Sequence, residues 1–290
     1  MNALKSRLNG SSSVAAISTI PPVLKYPGSK TRISSWILSF MPPHESYVEP
    51  FFGSGGVFFN KPKARVETIN DMDNDVVNFF RICRDRPNEL AEALRLTPWA
   101  REEREGSYEH TEDEFERARR FAVKCWQTFG SFRDRNRGWR HSTGKTSNGG
   151  PDNPKLWARL PRAVVEVSER LLTAQIENRP ALDVIERYNG AGVLIYADPP
   201  YLHDTRTANG YAYRHEMSTA DHEMLLAALR VHRGMVLLSG YDHELYNDVL
   251  RGWFKRTLDT TAERGVQRTE CLWINPAGEA KINVDQLRLF

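Results

Sequence analysis

The chain has 290 residues, 40% hydrophobic and 27% charged, with a formal net charge of +3. That is the composition of a soluble globular protein long enough for one α/β domain carrying an insertion. No run approaches the roughly 18 apolar residues of a membrane span, and the mild basic excess permits nucleic acid as a partner without demanding it. The three cysteines, Cys83, Cys125 and Cys271, form no close pair and no cluster with histidine at zinc-ligand spacing, so neither disulfides nor a metal site is expected.

In chain order, residues 1–20 are rich in Ser and Ala without a continuous apolar core and read as a mobile tail of a cytoplasmic protein. A short amphipathic helix is expected around Ile33–Leu38. The strand Ser46-Tyr47-Val48-Glu49 runs into Pro50-Phe51-Phe52-Gly53-Ser54-Gly55-Gly56, with a helix expected from about Val57. A second strand, Val66–Ile69, ends at Asn70-Asp71, and Asp75–Arg81 reads as helix. Strand, glycine turn, helix, strand and acidic residue is the first half of a nucleotide-binding α/β sheet.

Between residues 98 and 170 strand alternation stops, and this stretch reads as an insertion into a frame made of residues 21–97 and 171–290. Within it Thr111 and Glu114 have capping-box spacing. Phe115, Ala118, Phe121, Ala122, Cys125, Trp126 and Phe129 recur at helical spacing up to Gly130. The following loop carries Arg133, Arg135, Arg137, Arg140 and Lys145 interleaved with Phe132 and Trp139, suited to phosphate contact and base stacking or to a plain solvated face. Strands then return at Gln175–Glu177, Val193–Ala197 and Met235–Leu238, with a helix over Ser218–Arg230 and a closing hairpin of Phe254–Leu258 with Glu270–Ile274.

Chemistry concentrates at strand ends. Asp198-Pro199-Pro200-Tyr201 follows the apolar run Val193–Ala197, so a carboxylate, carbonyls that can only accept hydrogen bonds and an aromatic face arrive together. Such a loop can grip a planar amine; the bland alternative is a strand end with a helix cap and a core tyrosine. Gly53 and Gly55 allow close backbone approach to a ligand, though their spacing lacks the full GxGxxG and a plain tight turn would use them too. Asp71, 18 residues after Gly53, stands where an acidic side chain meets ribose hydroxyls, or where it would cap the next helix. Tyr211, Tyr213 and His215 could cover a bound base, with Arg206 near phosphate.

Taken in order, Lys25-Tyr26-Pro27-Gly28-Ser29-Lys30, Glu49-Pro50-Phe51-Phe52-Gly53-Ser54-Gly55, Asn70-Asp71-Met72-Asp73 and Asp198-Pro199-Pro200-Tyr201 resemble the Dam-type DNA adenine methylases. The order is that of the alpha group, and Arg268–Ile274 resembles the compact phage and prophage versions. The resemblance implies a Rossmann-like methyltransferase sheet with a small, mainly helical recognition segment, S-adenosyl-L-methionine as methyl donor and adenine N6 as acceptor. It implies donor contacts at Tyr26, Lys30, Gly53, Gly55, Asp71 and Asp198, and a catalytic loop of Asp198, Pro199, Pro200 and Tyr201. DNA contacts are expected at Arg133, Arg135, Arg137, Trp139 and Arg140, with no metal. Tyr26 replaces a tryptophan frequent in the family, and Pro180 stands where an acidic or hydroxyl residue is frequent. The implied partner is double-stranded DNA, contacted by a monomer or weak dimer; a cognate restriction endonuclease is a further partner the resemblance admits. N4-cytosine methylation is the nearest rival, disfavoured by Asp rather than Ser at position 198. A catalytically silent DNA-binding module is the rival of another class, and a nicotinamide dehydrogenase is disfavoured by the missing GxGxxG.

Overall fold

The computed structural model describes residues 20–130, 135–141, 152–205, 213–261 and 267–282. The expected tail before residue 20, and Phe132, Arg133, Lys145, Arg206 and Tyr211, lie outside them.

Seven strands, β1 Ser46–Glu49, β2 Val66–Asn70, β3 Ala174–Glu177, β4 Val193–Ala197, β5 Met235–Tyr241, β6 Phe254–Thr261 and β7 Gln267–Ile274, form a single sheet. Its order is β3-β2-β1-β4-β5-β7-β6. The first five strands run parallel, and β7 enters antiparallel between β5 and β6. This is a Rossmann-like α/β sheet. The chain builds outward from β1 through β2 to β3, then returns to lay β4 on the other side of β1, so the direction of winding reverses between β1 and β4. In open α/β sheets ligands bind in the crevice at the carboxyl ends of the strands flanking such a reversal.

The helices are α1 Ser34–Ser39, α2 Asn74–Asp85, α3 Pro87–Leu96, α4 Arg101–Gly106, α5 Glu114–Gln127, α6 Asn153–Trp157, α7 Leu160–Leu171, α8 Ala181–Arg187, α9 Thr219–Arg230, α10 Glu244–Val249 and α11 Pro276–Glu279. Period-two alternation sends the two faces of each strand into separate cores. Tyr47, Leu194, Tyr196, Leu237, Leu272 and Ile274 face one, with Phe79 of α2, Phe121 of α5 and Val164 of α7. Val48, Ile195, Ala197, Val236, Leu238 and Trp273 face the other, with Ile185 of α8, Leu226 of α9 and Tyr246 of α10.

Helices from the stretch expected to be inserted share the first core. α5 packs on α2, and α7 packs on α2 and α3. Trp126 donates its indole N–H to the Val23 carbonyl at 2.9 Å, and Trp157 to that of Thr97 at 2.9 Å. At the end of α7, Arg170 pairs with Glu67 of β2, which Lys61 also meets at 2.6 Å. Burial opposes ionisation of Glu67, but hydrogen bonds from Arg170, the Ala64 N–H and Lys61 outweigh it and hold the carboxyl at about 2.

Local expectations fail in three places. Instead of a helix from Val57 there is one 3-10 turn, Phe58–Asn60, because Pro62 disfavours helical geometry at Lys61 and Phe58 and Phe59 turn inward onto Phe52. α5 is capped by Asp113, whose carboxylate accepts from the Phe115 N–H at 2.9 Å. Thr111 instead accepts from the Asp113 N–H at 3.2 Å. Asp caps at least as well as Thr, and the later start places Glu114 and Glu116 in the first turn, where the helix dipole favours them. The hairpin also runs further than expected, to Thr261 and Gln267.

Candidate active site

The carboxyl ends of β1, β2 and β4 open onto a cavity of about 490 Å³, within the range usual for small-molecule sites. Tyr26, Lys30, Gly53, Asp71, Asp198 and Pro200 line it together, having come from four separated stretches of sequence. Gly55, Pro199 and Tyr201 do not line it.

Asp198 follows the last residue of β4, and its Oδ1 lies 3.1 Å from Lys30 Nζ. The contact is ionic, without hydrogen-bond alignment at that oxygen; Lys30 donates instead to the Gly28 carbonyl at 2.8 Å. Burial pushes the Asp198 carboxyl up, Lys30 draws it down, and Glu270 adds to the rise, leaving it at about 6. For Lys30, burial favours the neutral amine, yet the Asp198 and Glu270 carboxylates outweigh it and raise its pKa above the ordinary lysine value.

The glycine turn is built to its geometry. Gly53 and Gly55 have φ of +51° and +67°, which side-chain-bearing residues rarely adopt. A Cβ on Gly55 would lie 2.5 Å from Phe59 and 2.6 Å from Phe52, so this glycine sits under the turn against the aromatic core. Gly53 faces the cavity and donates its N–H to Asp71 Oδ2 at 2.8 Å, while Asp71 Oδ1 accepts from the Asp73 N–H at 2.8 Å. Asp71 therefore stitches the two strand ends together, and Asp73 caps α2 by accepting from the Asp75 N–H. Burial raises the Asp71 carboxyl to about 7 against these hydrogen bonds.

Several lining groups were not anticipated from the sequence. Glu49 is 2% exposed and accepts from the Tyr47 hydroxyl at 2.7 Å. Burial dominates its titration and lifts the carboxyl to about 8. Arg214 reaches Asp73 at 3.2 Å and Asp75 at 3.4 Å, bringing Tyr213 and Arg214 over the start of α2, with Tyr213 beside Tyr26 at a ring separation of 6.0 Å. Leu182, Met217 and Met224 supply an apolar wall. Tyr213 and His215, expected to cover a bound base, line the cavity as well, whereas no local pattern marks Glu49 or Arg214 as part of it.

Tyr201 lies beside the cavity, its hydroxyl donating to Glu270 Oε2 at 2.8 Å. Its ring meets Tyr241 edge-on at 4.5 Å, and Lys30 Nζ lies 4.7 Å from its centroid. Away from this centre, the described part of the arginine loop is tied to α4 and α5. Thr128 and Trp139 form an antiparallel bridge, Arg135 pairs with Glu109 at 2.8 Å, and Arg140 donates to the Thr128 carbonyl at 3.2 Å. The guanidinium of Arg104, 5% exposed, donates to the carbonyls of Arg135 and Arg137. Arg104 sits in a charged run, Arg101–Glu105, whose pattern does not mark it as buried.

The lining chemistry suits a methylsulfonium donor. Acidic side chains of Glu49, Asp71, Asp73 and Asp198 face a cavity whose cations Lys30 and Arg214 are paired with Asp198 and with Asp73 and Asp75, and the Leu182 and Met224 side offers an apolar surface for a flat ring. In overall structure the chain is similar to a SAM-dependent methyltransferase from Agrobacterium tumefaciens, at a TM-score of 0.39 and 11% identity over 86% of this chain and 62% of that one; the fold rests on its own strand order. In sequence it is 28% identical over 250 residues to the DNA adenine methylase of Escherichia coli K12, covering 80% of this chain and 84% of that protein. It is 26% identical over 273 residues to that of Serratia marcescens, covering 90% and 95%. The type II methyltransferase M1.LlaDCHI of Lactococcus lactis is 26% identical over 215 residues, covering 67% and 70%. Residues 26–262 match the profile of a family that spans every element of the cavity described above, and on that match the chain belongs to the D12 class N6 adenine-specific DNA methyltransferases.

Proposed function

We propose that this cavity and the Asp198–Tyr201 loop beside it carry out the family's reaction, methylation of adenine N6 in DNA, with Asp198 as the acceptor for the amino group. The methyl donor is S-adenosyl-L-methionine, which when bound supplies an electrophilic methyl on a sulfonium. Tyr26, Lys30, Gly53, Asp71 and Asp198 would hold it, Gly53 through close backbone approach and the two aspartates through their carboxylates. One observation carries the assignment: Asp198 stands at the carboxyl end of β4, where the winding reverses, ion-paired to Lys30 in an acid-lined cavity.

The amino nitrogen of adenine is a weak nucleophile because its lone pair is delocalised into the ring. A hydrogen bond donated by that N–H to Asp198, with the Pro199 carbonyl as second acceptor, draws the lone pair toward the methyl and stabilises the positive charge developing on nitrogen. Holding the amine in line supplies the rest through orientation. In duplex DNA the amino group is paired, so the base must leave the stack, and Tyr201 offers it an aromatic face.

The segment 98–170, with Arg135, Arg137, Trp139 and Arg140, is proposed to meet the duplex, its arginines on phosphate. The proposal extends to a short or relaxed target sequence, to action as a monomer or weak dimer in the cytoplasm, and to a cognate restriction endonuclease as a partner in a modification pair. Its test is incubation of the protein with unmethylated duplex DNA and tritiated donor, digestion to nucleosides and chromatography. Label in N6-methyladenine, lost in Asp198→Ala while thermal melts show that the variant is folded, is the expected result; label in N4-methylcytosine, or none from a wild-type protein that binds donor, would overturn it.

A further inference from the structure

The catalytic loop ends in a tyrosine whose hydroxyl is engaged by a residue 69 positions later. Tyr201 donates to Glu270 Oε2 at 2.8 Å, and a hydrogen bond to a carboxylate is among the stronger kinds available to a phenol. Glu270 has little freedom. It sits on β7, opposite Tyr241 of β5 and Leu258 of β6, and on the same face as Leu272 and Ile274, both fully buried. Tyr241, its neighbour in register, also presses on the Tyr201 ring at 4.5 Å with an interplanar angle of 70°. The ring is thus fixed at its hydroxyl and along one side by adjacent strands, while Lys30 lies 4.7 Å from its centroid.

We propose that Glu270 is a positioning residue: it fixes the orientation of Tyr201 so that the ring is a preformed platform for the flipped adenine, and it acts on methyl transfer through that tyrosine. This rests on the reading of Tyr201 as the base platform. It explains why a phenol rather than a plain phenyl ring is useful at position 201, since stacking alone needs no hydroxyl. The antiparallel strand thereby gains a function, because β7 is the element that brings a carboxylate from late in the chain against the catalytic loop.

The test is a double-mutant cycle on the full chain, measuring steady-state methyl transfer to unmethylated plasmid DNA, with donor affinity by calorimetry and thermal melts as folding controls. Loss of one hydrogen bond to a charged group predicts that Glu270→Ala lowers kcat about 10- to 100-fold, leaving KM for DNA and donor affinity in place. Tyr201→Phe should lower kcat to a similar degree. Glu270 also raises the Asp198 carboxyl, so the cycle is run at about pH 9, where Asp198 is ionised in every variant; there the double variant should be no slower than the slower single one, because both changes remove the same contact. Glu270→Gln, which keeps an acceptor oxygen, should restore most of the rate. An unchanged kcat in Glu270→Ala, or losses that multiply in the double variant, would overturn the proposal. Tyr201→Ala separates the two layers: full activity there removes the platform reading itself, whereas an inactive Tyr201→Ala beside a fully active Glu270→Ala removes only the role of Glu270.

Discussion

Replacing Lys30 by methionine keeps an unbranched side chain one atom shorter and removes the ammonium that faces Asp198. At the observed 3.1 Å and an effective dielectric of about 20, the pair is worth about 5 kcal/mol, a ceiling near four pH units. Shifts of roughly 1–3 units are usual when a close opposite charge is lost. Asp198 titrates at about 6, so without Lys30 its midpoint should move to roughly 7–9. In the proposed reaction Asp198 accepts the amine as a carboxylate, so activity should be retained above its pKa and lost as pH falls through it. With a midpoint near 8 in place of 6, the ionised fraction at pH 7 drops about tenfold. The assay is the initial rate of tritium transfer to DNA at saturating donor, from about pH 5 to about pH 10. Wild type should show an acid limb near 6, while Lys30→Met should be slow at neutral pH and recover toward pH 9. A uniform loss at every pH, with the limb still near 6, would refute the reasoning and assign Lys30 to donor binding alone.

Other perturbations test the frame around the site. Gly55→Ala combines a left-handed backbone with a methyl 2.5 Å from Phe59 and should destabilise the fold by about 2–5 kcal/mol; an unchanged urea midpoint would contradict the turn geometry. Glu49 has a folded-state pKa raised to about 8, so its contribution is fully present below about pH 4.5 and is lost as pH rises to 8. Glu49→Gln, which can still accept from Tyr47, should remove roughly 3–5 kcal/mol of that decline, and parallel melting curves against pH for the two proteins would count against it. Arg104→Ala strips the donors from the Arg135 and Arg137 carbonyls and should raise KM for DNA about tenfold without changing donor affinity. If DNA binding and its salt dependence are untouched, the arginine loop does not meet DNA.

What the sequence determined by itself were the pieces whose physics is local. Alternating and continuous apolar runs marked β1, β2 and β4 at their observed starts, because strand burial is written in period two and in runs too short for helices. The glycine turn and Asp198-Pro199-Pro200-Tyr201 were legible because backbone freedom and backbone rigidity are properties of single residues. The order of those pieces carried the family. Tertiary structure alone decided which pieces meet. Lys30 and Asp198 are 168 positions apart, and Tyr201 and Glu270 are 69; no periodicity relates such residues, since the sheet order that joins them is set by packing of whole faces. Burial was equally invisible. Glu49 and Arg104 belong to residue types usually solvated, and only enclosure turned one into a neutral acid and the other into a staple for a loop.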